Sequence, residues 1–252
     1  MRAFLETVEG DYLDDFVFIA KYALQNLGVE IIDFDGNKLK EFKDKYVFNL
    51  KNDIIIGSVE ASCVFFKACK IEEPKYLGYP EELKSFLNRE ILETTFGEIN
   101  YPYPYFIKPR THVKLFTGSL IKTEKSYNFM RDFYKEVQSD TALFLSSPID
   151  FITEYRCFVH KGVLKGIQWY CGDFTVFPNI QKINDMIEAY KSAPISYTLD
   201  VGVHLSENGA AETSLVEVND MWAIGSYGFN GEDYVRMTID RFQEIYKKTL
   251  FK

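Results

Sequence analysis

The 252 residues carry 29 basic and 37 acidic side chains, a net charge of −8, with no long basic run. That balance excludes a sequence-independent grip on nucleic-acid phosphate and confines any anion site to a local arrangement. Hydrophobic residues at 46% and aromatics at 16%, without repeats, low-complexity tracts or a Pro/Ser/Gly linker, predict a chain folded throughout, as one large domain or as closely packed subdomains.

The N-terminus, Met1-Arg2-Ala3-Phe4-Leu5-Glu6, has no signal-like apolar region. No run approaches the roughly 20 apolar residues that span a bilayer, so a cytoplasmic protein is expected. The first part of the chain alternates strands and helices: a strand over 2–5, a helix over 12–27, a strand over 29–34, a strand over 53–57 and an apolar helix over 59–69. A small parallel βαβ sheet follows from that order. No GxGxxG accompanies it, which leaves a dinucleotide site without support. Cys63, Cys69, Cys157 and Cys171 lack CxxC spacing and neighbouring histidines, and read as reduced, mostly buried thiols.

From Tyr101 the pattern becomes antiparallel. Strands are expected over 105–109, 116–122, 152–160 and 163–170, with a helix over 126–137 and a hairpin turn at Lys161-Gly162. A helix over 179–191, strands over 195–204 and 213–218, and an amphipathic helix over 233–248 complete the chain. The fold class is α/β or α+β, a parallel N-terminal unit followed by a larger mixed one.

In Thr213-Ser214-Leu215-Val216-Glu217-Val218-Asn219-Asp220, a period of two sends Glu217 and Asn219 to one face and Val216 and Val218 to the other. If the strand ending near Asp200 lies beside it, three oxygen donors converge, a set suited to Mg²⁺ completed by water and phosphate oxygens. The plain alternative is a turn-capping Asp200 and a solvated sheet face. On residues 151–159, Glu154, Arg156 and Phe158 share a face, and the Arg156 fork suits phosphate oxygens unless it serves a structural Glu–Arg pair. Lys108, the lone charge after Tyr105-Phe106-Ile107, directs a partly buried ammonium to one place unless it snorkels to the surface. The loop 111–119, with Lys114 and Gly118, is able to fold over phosphates. His112, His160 and His204 are too scattered for a metal triad.

Read in order, Phe106-Ile107-Lys108-Pro109, Glu154-Tyr155-Arg156, Asp200 and Glu217-Val218-Asn219 resemble the nucleotide-binding half of the ATP-grasp superfamily, with the specific marks between about residues 100 and 250. The resemblance implies a βαβ pre-ATP-grasp-like subdomain over 1–78 and an ATP-grasp nucleotide-binding and catalytic region over 79–252. It implies ATP with one or two Mg²⁺ ions on Asp200, Glu217 and Asn219, nucleotide contacts from Lys108, Glu154 and Arg156, and Lys114 on a lid loop. Lys108 and Arg156 are the expected catalytic groups. Leu143, Phe144 and Ser146 fall in the stretch similar to the adenine-pairing connection, although its sequence departs from the usual apolar-Glu-aromatic pattern. Trp222 and Tyr227 follow the metal strand, where an acceptor enters in such enzymes. The implied activity is an ADP-forming carboxylate–amine or peptide ligase working through an acylphosphate, on a small molecule, peptide or protein. A small-molecule kinase or a non-catalytic ATP-binding partner module would use the same motifs.

Overall fold

The computed structural model describes residues 1–111 and 115–250. Strand β1 (Arg2–Val8) lies parallel to both β3 (Glu30–Asp35) and β4 (Asp53–Ile56), while β2 (Asp11–Tyr12) folds back antiparallel on its last two residues. Helices α1 (Asp15–Asn26), α2 (Leu39–Lys45) and α3 (Val59–Ala68) cover this sheet, which is why Ala3, Phe4 and Leu5 are buried on both of its faces. Helix α1 starts three residues later than its periodicity suggests. Tyr12 pairs with Thr7 in the sheet, and Asp14, whose carboxylate accepts from the Asp15 N–H, opens the helix behind it.

The second sheet, in the order β5-β8-β6-β7, contains β5 (Ile91–Thr95), β6 (Tyr105–Pro109), β7 (Ser119–Ile121) and β8 (Ala142–Ser146), all antiparallel. Two of these strands correct the sequence reading: residues 91–95 had no strand assigned, and 143–147 read as a connection. β8 is a short apolar run buried between two neighbours and shows no alternation, while β5, Ile91-Leu92-Glu93-Thr94-Thr95, is a short half-buried edge strand that also lacks a period of two. Residues 116–118 lie outside β7. Helix α4 (Glu124–Phe133) begins behind a capping box made by Thr123 and Ser126 and ends at a turn in which the Val137 N–H donates to the Tyr134 carbonyl, short of the expected 137.

The third sheet, β10-β9-β11-β12, is antiparallel throughout and contains β9 (Thr153–His160), β10 (Val163–Gly172), β11 (Ser196–Leu205) and β12 (Ala211–Asp220). The β9–β10 turn has positive φ at both Lys161 (53°) and Gly162 (73°), the twist that a two-residue hairpin requires. One face packs Tyr155, Cys157, Leu199, Val201, Leu215 and Val218 against α5 (Ile180–Ala189).

Helix α6 (Gly231–Thr249) does not join that core. Tyr234, Val235, Met237, Phe242 and Ile245 enter the cluster formed by β1, β4, α1 and α3, so the first core draws on both ends of the described chain and the expected division near residue 78 does not separate two cores. The Arg241 guanidinium anchors α6 to β12 by two bonds to Asp220, Nε to Oδ1 at 2.7 Å and Nη2 to Oδ2 at 2.6 Å, with both side chains buried. Among the described residues no helix is long and apolar enough to cross a membrane. Arg241→Leu leaves a buried carboxylate without its partner, and urea unfolding of this variant is expected to show a loss of about 3–5 kcal/mol.

Candidate active site

A cleft of about 720 Å³ opens between the second and third sheets, the start of α1 and the turn that joins β4 to α3. The two-residue pleat decides what faces it. On β6, Tyr105 and Ile107 enter a core while Phe106 and Lys108 turn to the cleft; on β9, Tyr155 and Cys157 are in a core while Glu154 and Arg156 turn out. On β12, Val218 is in the core, and Glu217 and Asn219 face the cleft.

Five of the expected residues form one polar network. Arg156 donates to Asp200 through Nε to Oδ1 at 2.8 Å and Nη2 to Oδ2 at 2.7 Å, and its Nη1 donates to the Gly225 carbonyl at 3.1 Å. The Asn219 amide bridges the two acids, 3.1 Å from Asp200 Oδ2 and 3.2 Å from Glu217 Oε1. The Lys108 ammonium donates to Glu217 Oε2. The cross-strand register places Arg156 opposite Asp200 and Asp200 opposite Glu217, so the network runs straight across β9, β11 and β12. Asp200 is 2% exposed and sits below the cleft surface, beneath Arg156 and Asn219. Glu154, also in the cleft, accepts from the Tyr170 hydroxyl at 2.7 Å.

Val216 is not on the core face where simple alternation puts it. A β-bulge between Asp200 and Val201 shifts the register, so Leu215 takes the core position and Val216 lines the cleft. The carbonyls of Leu215 and Val216 at this bulge are satisfied by Arg89, whose Nη1 and Nη2 lie 2.9 Å from each, while Nη1 also donates to Leu87. Arg89, Tyr76 and Tyr79 escaped the sequence reading, because a lone arginine and a Tyr-Leu-Gly-Tyr-Pro turn carry no chemical pattern by themselves. The rings of Tyr76 and Tyr79 flank Lys108 Nζ at 5.4 and 5.2 Å, and Tyr76 donates to Glu217 Oε2 at 3.3 Å.

The stretch expected to pair with adenine is divided between a core and the cleft. Leu143 points into the core on the far side of the second sheet, and the cleft-side Phe144 is covered by Tyr76 and Tyr79, with Tyr79 edge-on at 4.8 Å. Both also pair with β5 and β6, which occupies their backbone polar groups in the sheet. Ser146 and Ser147, the end of the expected stretch 143–147, do line the cleft, and Pro148 and Ile149 continue along it. Lys114 and His112 lie outside the described residues. His160 pairs with Asp240 at 2.9 Å and His204 with the Ser214 hydroxyl at 2.7 Å, both away from the cleft. Tyr227 lines the cleft, stacked on Tyr170 at 5.1 Å with the Arg156 guanidinium 4.7 Å from its ring, whereas Trp222 belongs mainly to the first core.

The electrostatics follow from burial and pairing. Burial works against the charged form of Glu217, but the adjacent Lys108 ammonium, the Asn219 amide and Arg156 together hold it below the usual carboxylate range. Burial first, and then the charges of Asp200 and Glu217, push Glu154 above that range against the Tyr170 hydrogen bond. Burial also opposes the charge on Lys108 and Arg156, yet their carboxylate partners keep both firmly protonated. No histidine or cysteine lines the cleft among the described residues, nor is there a cluster of three His, Cys, Asp or Glu able to hold a metal. Two carboxylates and an amide lie together, with the Asn219 N–H turned to both acids; Glu217, and Asn219 once its amide oxygen is turned to the cleft, are hard donors that fit a cation such as Mg²⁺ drawing its remaining ligands from water and phosphate.

Comparison with known proteins accords with this geometry. Residues 86–237 match the model of the ATP-grasp domain, R2K clade family 2. No curated protein sequence matches significantly. Among solved structures, the D-alanine–D-alanine ligase from Bacillus anthracis complexed with ATP is similar at a TM-score of 0.57 and 12% identity, covering 98% of each chain. A D-cycloserine synthetase is similar at 0.58 and 10% identity, covering 96% of this chain and 100% of its own. The RimK domain ATP-grasp protein from Sphaerobacter thermophilus is similar at 0.52 and 16% identity, covering 97% and 98%. With the family model spanning more than half its length, the chain belongs to the ATP-grasp superfamily, in the R2K clade.

Proposed function

We propose that this protein is an ATP-dependent, ADP-forming ligase that joins a carboxylate to an amine, in a small molecule or a peptide, through an acylphosphate. The observation that carries the proposal is the continuous network of Lys108, Glu217, Asn219, Asp200 and Arg156 on one wall of the cleft. The ATP complex of the D-alanine–D-alanine ligase and the ligase and synthetase descriptions of the other structural neighbours support the same reading.

Phosphoryl transfer to a carboxylate asks the protein for alignment and charge neutralisation more than for a nucleophilic side chain. Arg156 meets that need as a fork held rigid by Asp200 from below and by the Gly225 carbonyl, with Nη1 toward the loop after β12. Lys108, desolvated between two tyrosine rings, brings a fixed positive charge to the nucleotide side. Glu217 and Asn219, backed by Asp200, are the groups to hold one or two Mg²⁺ ions, which when bound neutralise phosphate oxygens. Ser146 to Ile149 would face the adenine, and Glu154 with Tyr170 stands beside Arg156 where a polar nucleotide group is held. The acceptor would enter past Tyr227.

Calorimetric titration with ATP and Mg²⁺ is expected to show metal-dependent binding that a folded Glu217→Ala, Asn219→Ala double variant loses; no binding under any metal condition would overturn the nucleotide reading. Arg156→Ala is expected to lower ADP release in an acceptor-coupled assay about 100-fold or more. Lys108→Met reverses one contribution to the pH dependence of stability. In the native protein the depressed pKa of Glu217 adds stability as pH rises through the usual Glu range near about 4.3 and loses it as pH falls below. In the variant Glu217 is buried without its cation and its pKa rises, so that this group removes stability as pH increases above that range. Urea unfolding at a series of pH values reads the change in sign.

A further inference from the structure

We propose that Tyr76 is a positioning residue for the cation site, holding one carboxylate oxygen of Glu217 so that the other is presented to Asn219 and Asp200. This inference rests on the nucleotide reading above and concerns a residue outside the strands that carry the motifs.

Tyr76 lies on the strap that leads from α3 to the second sheet. The strap is pinned to the edge of β12, where the Val218 N–H donates to the Gly78 carbonyl at 2.8 Å, one residue from Glu217. Gly78 adopts φ +50°, and a Cβ there would stand 2.6 Å from the Tyr76 ring, so glycine both permits the turn and leaves room for the ring. The ring packs on Phe144 and against Lys108, and its hydroxyl reaches Glu217 Oε2 at 3.3 Å.

A carboxylate oxygen has two lone-pair sites in its plane. Lys108 and Tyr76 both donate to Oε2, whereas Oε1 receives only the Asn219 amide among the hydrogen bonds of this network. Oε1 is therefore the oxygen with capacity for a cation, and the two donors on Oε2 fix its direction. Groups that orient a metal ligand without touching the metal typically change metal affinity about 10- to 100-fold when removed.

The test is Tyr76→Phe, which deletes the hydroxyl and keeps the ring. Binding of ADP is titrated by calorimetry at a series of Mg²⁺ concentrations for the native protein, Tyr76→Phe and the Glu217→Ala, Asn219→Ala variant, with thermal unfolding recorded for each. Tyr76→Phe is expected to unfold at the native temperature, to bind metal-free ADP as the native protein does, and to need about 10-fold more Mg²⁺ for half-maximal enhancement. Gly78→Ala, which presses on the ring, is expected to shift the Mg²⁺ requirement in the same direction. An unchanged Mg²⁺ requirement in Tyr76→Phe, with enhancement lost in the double variant, overturns the role of Tyr76 and leaves the nucleotide reading standing. Absence of ADP binding by the native protein overturns both.

Discussion

Everything in the cleft depends on holding two carboxylates side by side, Asp200 buried and Glu217 partly so. Asp200 and Glu217 face each other across β11 and β12, and their mutual repulsion in a poorly solvated place would protonate one of them without compensation. Arg156 and Lys108 supply that compensation from opposite sides, and Asn219 ties the two pairs together. Each carboxylate has a cation as its partner, and those cations keep N–H groups at the cleft wall. An incoming polyanion with its own cation can therefore be exchanged into the network without leaving a charge stranded, the condition under which buried ion pairs are tolerated.

The geometry needed for this comes from sheet pleating. Lys108, Glu154, Arg156, Glu217 and Asn219 were legible in the sequence because each is a polar residue flanked by an apolar or aromatic one on its strand, and a period of two assigns it a face from neighbours one position away. Asp200 was legible as a companion, though its depth was not: that Arg156 would lie over it depends on the register between β9 and β11, which no local pattern encodes. Val216 was misplaced for a related reason. A bulge changes the face of a residue only when something distant satisfies its carbonyls, and here that partner is Arg89, 127 residues away from Val216.

The aromatic strap was the least legible part. Tyr76 and Tyr79 act through contacts with Lys108, Phe144 and Glu217, residues from three other segments, and none of these contacts leaves a periodic trace. Residues 143–147 were read as a connection, but most of that run is strand β8, paired along both of its edges, and only its end, Ser146 and Ser147, reaches the cleft. The elements with strong local cues, including the capped α3 and the Lys161-Gly162 hairpin, lie close to where propensity places them.

The position of α6 has a consequence for how the molecule comes into being. Its apolar face completes the core around β1, β4, α1 and α3, so the unit synthesised earliest is finished by the helix synthesised last among the described elements. Until that helix is available the early unit must keep Phe65, Phe66 and Phe16 without part of their cover, a state with apolar surface open to other chains. The two ends of the described chain are thus packed into one core, which is complete only once α6 has been synthesised.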